Sequence, residues 1–209
     1  RNLVRAAPAP GGPPNRGTVS KVIPALDDDL LRWIATQPVF FVATAPDGPD
    51  GHVNLSPKGH DTFRVLDPRR VAYLDLTGSG AETIAHLREN GRIVVMPCAF
   101  EGPPRIVRFH GRGEAILAGD PRFDELLAEA AFEDPSLPQA RRAIIVVDVT
   151  RVSDSCGYGV PLMAFEGLRD HHALSTDKAL RTLGPDGYAA KRAAQNARSL
   201  DGLPALDAE

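Results

Sequence analysis

Three polar side chains recur at every second position between residues 53 and 59: Asn54, Ser56 and Lys58. In an extended strand this spacing puts all three on one face, with one fixed cation at its end. A second polar group follows in Thr77-Gly78-Ser79-Gly80-Ala81-Glu82-Thr83, where hydroxyls and glycines precede a helical pattern. A helix N-terminus presents unpaired N–H groups and the positive end of the dipole, so it receives an anion readily. Together the two groups form a cradle for a phosphorylated, flat cofactor. The Ser79-x-x-Glu82 spacing also fits a capping box with Ser79 or Thr77 as N-cap. The two readings are compatible, because a capped terminus keeps spare amides.

Other chemistry-bearing residues are more scattered. Arg105 follows two prolines and opens a strand; it reads either as a cation at the rim of the cofactor site or as a surface charge. The loop Cys156-Gly157-Tyr158 combines a thiol, an aromatic ring and a permissive glycine. It reads as one wall of a substrate pocket or as a tight turn around a buried cysteine. A catalytic thiol needs a neighbouring cation, which the sequence does not supply. His60, His86, His110, His171 and His172 have no partners at metal-ligand spacing, so no metal site is expected. No residue is assigned a catalytic role.

The elements that must position these groups are mostly strands. Apolar runs and alternations predict strands over 39–44, 52–56, 62–66, 71–76, 93–99, 105–117 and 143–152. Helical patterns begin after Asp27-Asp28-Asp29 and end at Pro38, and recur over 80–89, 120–130, 177–183 and 188–198. Asn90-Gly91 closes the second helix, because both residues tolerate the left-handed conformation. The expected class is mainly β with flanking helices, arranged as a small closed barrel. Residues 1–20, rich in Pro, Gly, Ala and Arg, read as a flexible extension without the pattern of a secretory signal. Residues 21–165 form the barrel, and 166–209 a helical tail packing on the barrel or on a partner subunit.

Composition narrows the function. The formal net charge of −3 and a pI near 6.1 argue against nucleic acid as the partner. No apolar run reaches the roughly 20 residues of a membrane span. Two distant cysteines, Cys98 and Cys156, suggest a reducing, cytoplasmic setting.

The segments FVATAPDG, HVNLSPKG, FRVLDPRRVAYLDLTGSG, ETIAHLRENGRI, CAFEGPPRIVRFHGRGEAI, SCGYGVP and KRAAQNARSLDGLPAL resemble, in this order, the pyridoxamine 5′-phosphate oxidase-like family of FMN-binding split barrels. The resemblance runs from about residue 21 to 203 and implies a six-stranded Greek-key split barrel. It also implies a homodimer with FMN in the grooves between subunits. On that resemblance Val53, Asn54, Leu55, Ser56, Pro57 and Lys58 lie along the flavin ring. Leu74 and Asp75 occupy a cofactor-contacting pair, and Thr77, Ser79, Glu82 and Thr83 surround the phosphate. Arg105 lies beside a ring-contacting position. Gly80 and Ala81 stand where true pyridoxamine phosphate oxidases carry Arg and Lys, and the C-terminal substrate signature of those enzymes is missing. The implied activity is therefore an FMN-dependent oxidoreductase acting on another small molecule, with NAD(P)H or oxygen as redox partner. The alternatives are a non-catalytic flavin carrier or sensor, and a barrel using deazaflavin or haem.

Overall fold

A computed structural model describes residues 21–23, 26–132 and 138–206. The extension expected at 1–20 lies outside these residues. Eight strands form one antiparallel sheet: β1 Lys21–Ile23, β2 Phe40–Thr44, β3 Asn54–Lys58, β4 Phe63–Asp67, β5 Arg70–Leu76, β6 Arg92–Pro97, β7 Ile106–Leu117 and β8 Arg141–Ser155. The order is β3-β2-β6-β7-β8-β5-β4, with β1 paired to β8. Eight strands replace the six that the resemblance implied; three-residue β1 is too short to show periodicity in sequence. The sheet curls until its two ends meet. Lys58 of β3 reaches Asp75 of β5, Nζ to Oδ1, at 2.9 Å, so side chains rather than a backbone ladder bridge the split.

Alternation along the strands builds two cores. Val71 and Tyr73 of β5 face a large interior cluster with Phe40, Val42, Phe109, Ile145 and Val147. Ala72 and Leu74 face the opposite side, with Ile116, Ile144 and Phe123. That second cluster lies under helix α3, Phe123–Ala130.

The other helices flank the sheet. α1, Asp28–Ala35, is capped by Asp27, whose carboxylate accepts from Leu30 N at 2.8 Å. α2, Glu82–Asn90, ends at Gly91 in the left-handed conformation (φ 69°), a cap that glycine adopts without strain. α4, His171–Gln195, consists of two helical arms meeting at a break at Gly184 (φ 70°, ψ 170°) ahead of Pro185, which matches the two segments expected except that the first arm starts earlier and the second ends at Gln195.

Candidate functional site

β3 pairs with β2 so that Asn54, Ser56 and Lys58 stand opposite Thr44, Val42 and Phe40. These three side chains therefore share the inner face, as the alternation predicts, while Val53 and Leu55 are 73% and 65% exposed on the outer one. The inner row lines a cleft of about 430 Å³ together with Pro57, Gly78, Ser79, Glu82, Thr83 and Arg142. The polar strand face and the turn before α2 are thus brought together. A wider cleft of about 510 Å³ beneath α1 is less promising. The two charges that line it, Asp61 and Arg64, are joined in a bidentate pair at 2.9 Å.

The start of α2 departs from the capping-box expectation. Its N-cap is Ala81, with no side-chain cap hydrogen bond. Neither Ser79 nor Thr77 caps the helix, and the carboxylate of Glu82 accepts instead from Leu200 N at 3.2 Å. The helix begins two residues later than expected because the carbonyl of Gly80 is drawn away by Arg142, whose Nη1 donates to it at 2.6 Å. The first amides of α2 have no intrahelical acceptors and open toward the cleft beside Ser79 and Thr83.

Asp75, 1% exposed, sits beneath this cleft between two cations. Its Oδ1 accepts from Lys58, and its Oδ2 from Arg142 Nε and Nη2 at 2.7 Å each. Burial opposes its ionisation, but the charges of Lys58 and then Arg142 outweigh burial and hold its carboxyl below the usual range. The triad carries a net charge of +1. Arg142 also donates to Asn196 Oδ1 at 2.5 Å, which ties the C-terminal segment to the same site.

A β-bulge aims Arg142. In the β5–β8 register Asp75 pairs with Ala143 and Leu76 with Arg141, leaving Arg142 as the extra residue. Simple alternation from inward-facing Ala143 would have turned it to the other face; the bulge restores it to the inner one.

A hydrogen-bond chain fixes the polar wall. Ser56 Oγ donates to Asn54 Oδ1 (3.0 Å), and Asn54 Nδ2 donates to Thr44 Oγ1 (3.2 Å) and Thr83 Oγ1 (3.1 Å). Thr44 Oγ1 pairs with His86 Nδ1 at 3.0 Å. Burial lowers the His86 proton affinity, against weaker pulls from Asp201, Glu82 and Glu89, and keeps the ring neutral. Because the Ser56 proton is used inward, its hydroxyl offers the cleft lone pairs, and a ligand must donate there.

The remaining candidates lie elsewhere. Leu74 is buried in the core under α3. Thr77 lines a neighbouring cleft against α4. Arg105 is paired with Asp154 at 2.7 Å and lies 5.2 Å over the Trp33 ring. Cys156 is exposed rather than buried, because β8 runs on through Ser155 and carries the thiol outward. Gly157 (φ 63°) packs so closely on Arg105 that a Cβ would meet its backbone nitrogen at 2.9 Å. Both cysteines are free. No group of described residues has the makings of a metal site, and no described helix is long and apolar enough to cross a membrane.

Sequence reading missed Arg142, Asn196, Thr44 and His86 as parts of the site. Thr44 had a signal, since its register opposite Asn54 follows from the 45–53 turn. Arg142 and Asn196 had none.

Residues 26–156 match the family model described as Pyridoxamine 5′-phosphate oxidase. The curated pyridoxamine 5′-phosphate oxidase family protein ustO of Aspergillus flavus is 41% identical over 193 residues, covering 87% of this chain and 76% of that protein. Among solved structures, HupZ of Group A Streptococcus is 21% identical with a TM-score of 0.48, covering 61% of this chain and 91% of that one. The FAD binding protein from Mycobacterium smegmatis is 12% identical with a TM-score of 0.43, covering 64% and 97%.

Proposed function

The chain belongs to the pyridoxamine 5′-phosphate oxidase family, and from that premise we propose that it is a flavin-dependent oxidoreductase holding FMN in the Asn54–Thr83 cleft. The observation that carries this reading is the uncapped N-terminus of α2 opening beside Ser79 and Thr83, facing the polar row of β3. A volume of about 430 Å³ falls within the roughly 300–1,000 Å³ of small-molecule sites. Helix amides and hydroxyls hold a phosphate, and the +1 triad of Lys58, Asp75 and Arg142 supplies charge in place of the missing Arg-Lys pair. Asn54, Ser56 and Lys58 would lie against the flavin ring, with Ser56 accepting from a ring N–H.

When bound, the flavin would exchange hydride with a small organic molecule, NAD(P)H re-reducing it if that molecule is reduced, or oxygen reoxidising it if that molecule is oxidised. The chain's part is to orient the ring, place a cation near it and exclude water. The proposed assembly is a homodimer working in the cytoplasm. Val53, Leu55, Leu162, Met163, Phe165 and Leu200 are all at least half exposed, a set of apolar side chains that a second copy would cover.

One observation favours a flavin carrier as the second reading. No histidine or cysteine lines the cleft, and Asp75 is held ionised between two cations. The ionisable side chains that line it are already engaged, Lys58 and Arg142 with Asp75 and Glu82 with the Leu200 amide, so no group in the cleft stands ready as a general acid or base.

Anaerobic spectroscopy tests both readings. An oxidised-flavin spectrum that bleaches with NAD(P)H and returns with an organic acceptor supports the oxidoreductase. Bound flavin that no nicotinamide and no substrate reduces leaves the carrier. Protein that takes up no FMN removes both.

A further inference from the structure

α4 breaks at Gly184, and its two arms face one another across a second cleft of about 270 Å³, closed on the third side by the 77–79 turn. This cleft shares only Gly78 and Ser79 with the proposed cofactor cleft. Its chemistry is one-sided: Lys191, Arg192, Tyr188 and Thr176 line it, and no carboxylate does. Lys191 is exposed and has no ion-pair partner among the described residues. Arg192 Nη1 donates to the carbonyls of Gln139 and Arg141 at 2.9 and 3.3 Å, which fixes the guanidinium and leaves other donors unused.

Two buried polar atoms of this lining lack any hydrogen-bond partner, Thr77 Oγ1 and His172 Nδ1. The imidazole is held in place, since Nε2 donates to Thr77 O at 2.9 Å, which leaves Nδ1 of the neutral imidazole as an acceptor that only a ligand's donor group would meet. A buried polar atom without a partner is destabilising, and the Thr77 hydroxyl, as a donor, calls for an acceptor at this cleft.

We propose that this cleft is a second binding site, for an oxyanion group of a small molecule seated beside the cofactor. A phosphate or carboxylate would be met by Lys191, Arg192 and the Thr77 hydroxyl. The site goes beyond the flavin reading and does not depend on it. The group belongs either to a separate acidic ligand or to the second phosphate of a dinucleotide flavin.

The test is calorimetric titration of inorganic phosphate into FMN-equilibrated protein, wild type against Lys191→Glu and Thr77→Val. The expected loss for Lys191→Glu is at least about tenfold in phosphate affinity, the worth of one charge-assisted hydrogen bond, with FMN affinity unchanged. Thr77→Val should weaken phosphate severalfold while its melting temperature holds or rises, because an unpartnered buried hydroxyl is removed. Lower FAD affinity with unaltered FMN affinity in Lys191→Glu would identify the occupant as the dinucleotide's second phosphate. Equal FAD affinity would identify a separate acidic ligand. Phosphate affinities within about twofold of wild type in both variants, or no phosphate binding by the wild type, would overturn the proposal. Should FMN fail to bind, the same titration on the protein alone, with Lys58→Ala as the cofactor-cleft control, still decides it.

Discussion

Replacing Asp75 by Asn should lower stability and strengthen anion binding at once. The carboxylate is 1% exposed and is bonded by two cations, of which the Arg142 side chain is 4% exposed and the Lys58 side chain 23%. Asparagine keeps the shape and one acceptor but removes the charge, leaving the Arg142 guanidinium buried without a counter-ion. Removing one partner of a buried pair costs about 3–5 kcal/mol. For a domain of this size each kcal/mol moves the melting temperature by about 2–4 °C, so the expected fall is about 6–20 °C. The freed charges lie beside the proposed phosphate position, so FMN affinity should rise. The pH dependence has a defined sign. The folded-state carboxyl is depressed, so its stabilising contribution is present above the ordinary Asp value of about 3.9 and is lost as pH falls through the folded-state value. Wild type should lose this contribution in that acid window, and Asp75→Asn should not. Thermal unfolding followed by circular dichroism at pH 7 and in an acid series, with an FMN titration of each protein, measures all three effects. A melting temperature within about 2 °C of wild type, or weaker FMN binding by a folded variant, would refute the triad as described.

Three further expectations concern other parts of the site. Ser79→Ala/Thr83→Ala should weaken FMN retention, measured by fluorescence titration, at a stability cost of about 1 kcal/mol from the lost Asn54–Thr83 bond and none from capping, because neither hydroxyl caps α2; equal FMN affinity would remove both from the phosphate position. His86→Gln should flatten the stability profile between pH 7 and 5. In the wild type the buried ring's folded-state value is depressed, so its stabilising contribution is present above about 6.5 and lost below it; parallel profiles would contradict this. Gly157→Ala should destabilise by about 1–3 kcal/mol in chemical denaturation, since φ is 63° and a Cβ would press on the Arg105 backbone; an unchanged midpoint would dispute that packing.

Local signals carried much of the architecture. Asp27 before an apolar stripe announced α1, Asn90-Gly91 announced the end of α2, and alternation at 54, 56 and 58 placed three side chains on one face. Non-local features did not show. The bulge that turns Arg142 inward depends on a register shift between β5 and β8, which no single strand encodes. The start of α2 is set by an arginine 62 residues away in sequence, so the local Ser79-x-x-Glu82 pattern misled. Asn196, which bonds Arg142, and Asp201, which bonds the His52 backbone amide at 2.8 Å, meet the site only through the returning C-terminal segment. Arg105, expected to open a strand, lies just ahead of β7, which starts at Ile106, and Asp154 on the neighbouring β8 and the Trp33 ring take up its charge.

The most direct measurement is an FMN titration of the protein, read by quenching of flavin fluorescence and by the visible spectrum after removal of free ligand. Saturation at one FMN per chain, weakened in Ser79→Ala/Thr83→Ala and in Lys58→Ala, is the expected result. A colourless protein that leaves flavin fluorescence unchanged would contradict a phosphate held at the open end of α2.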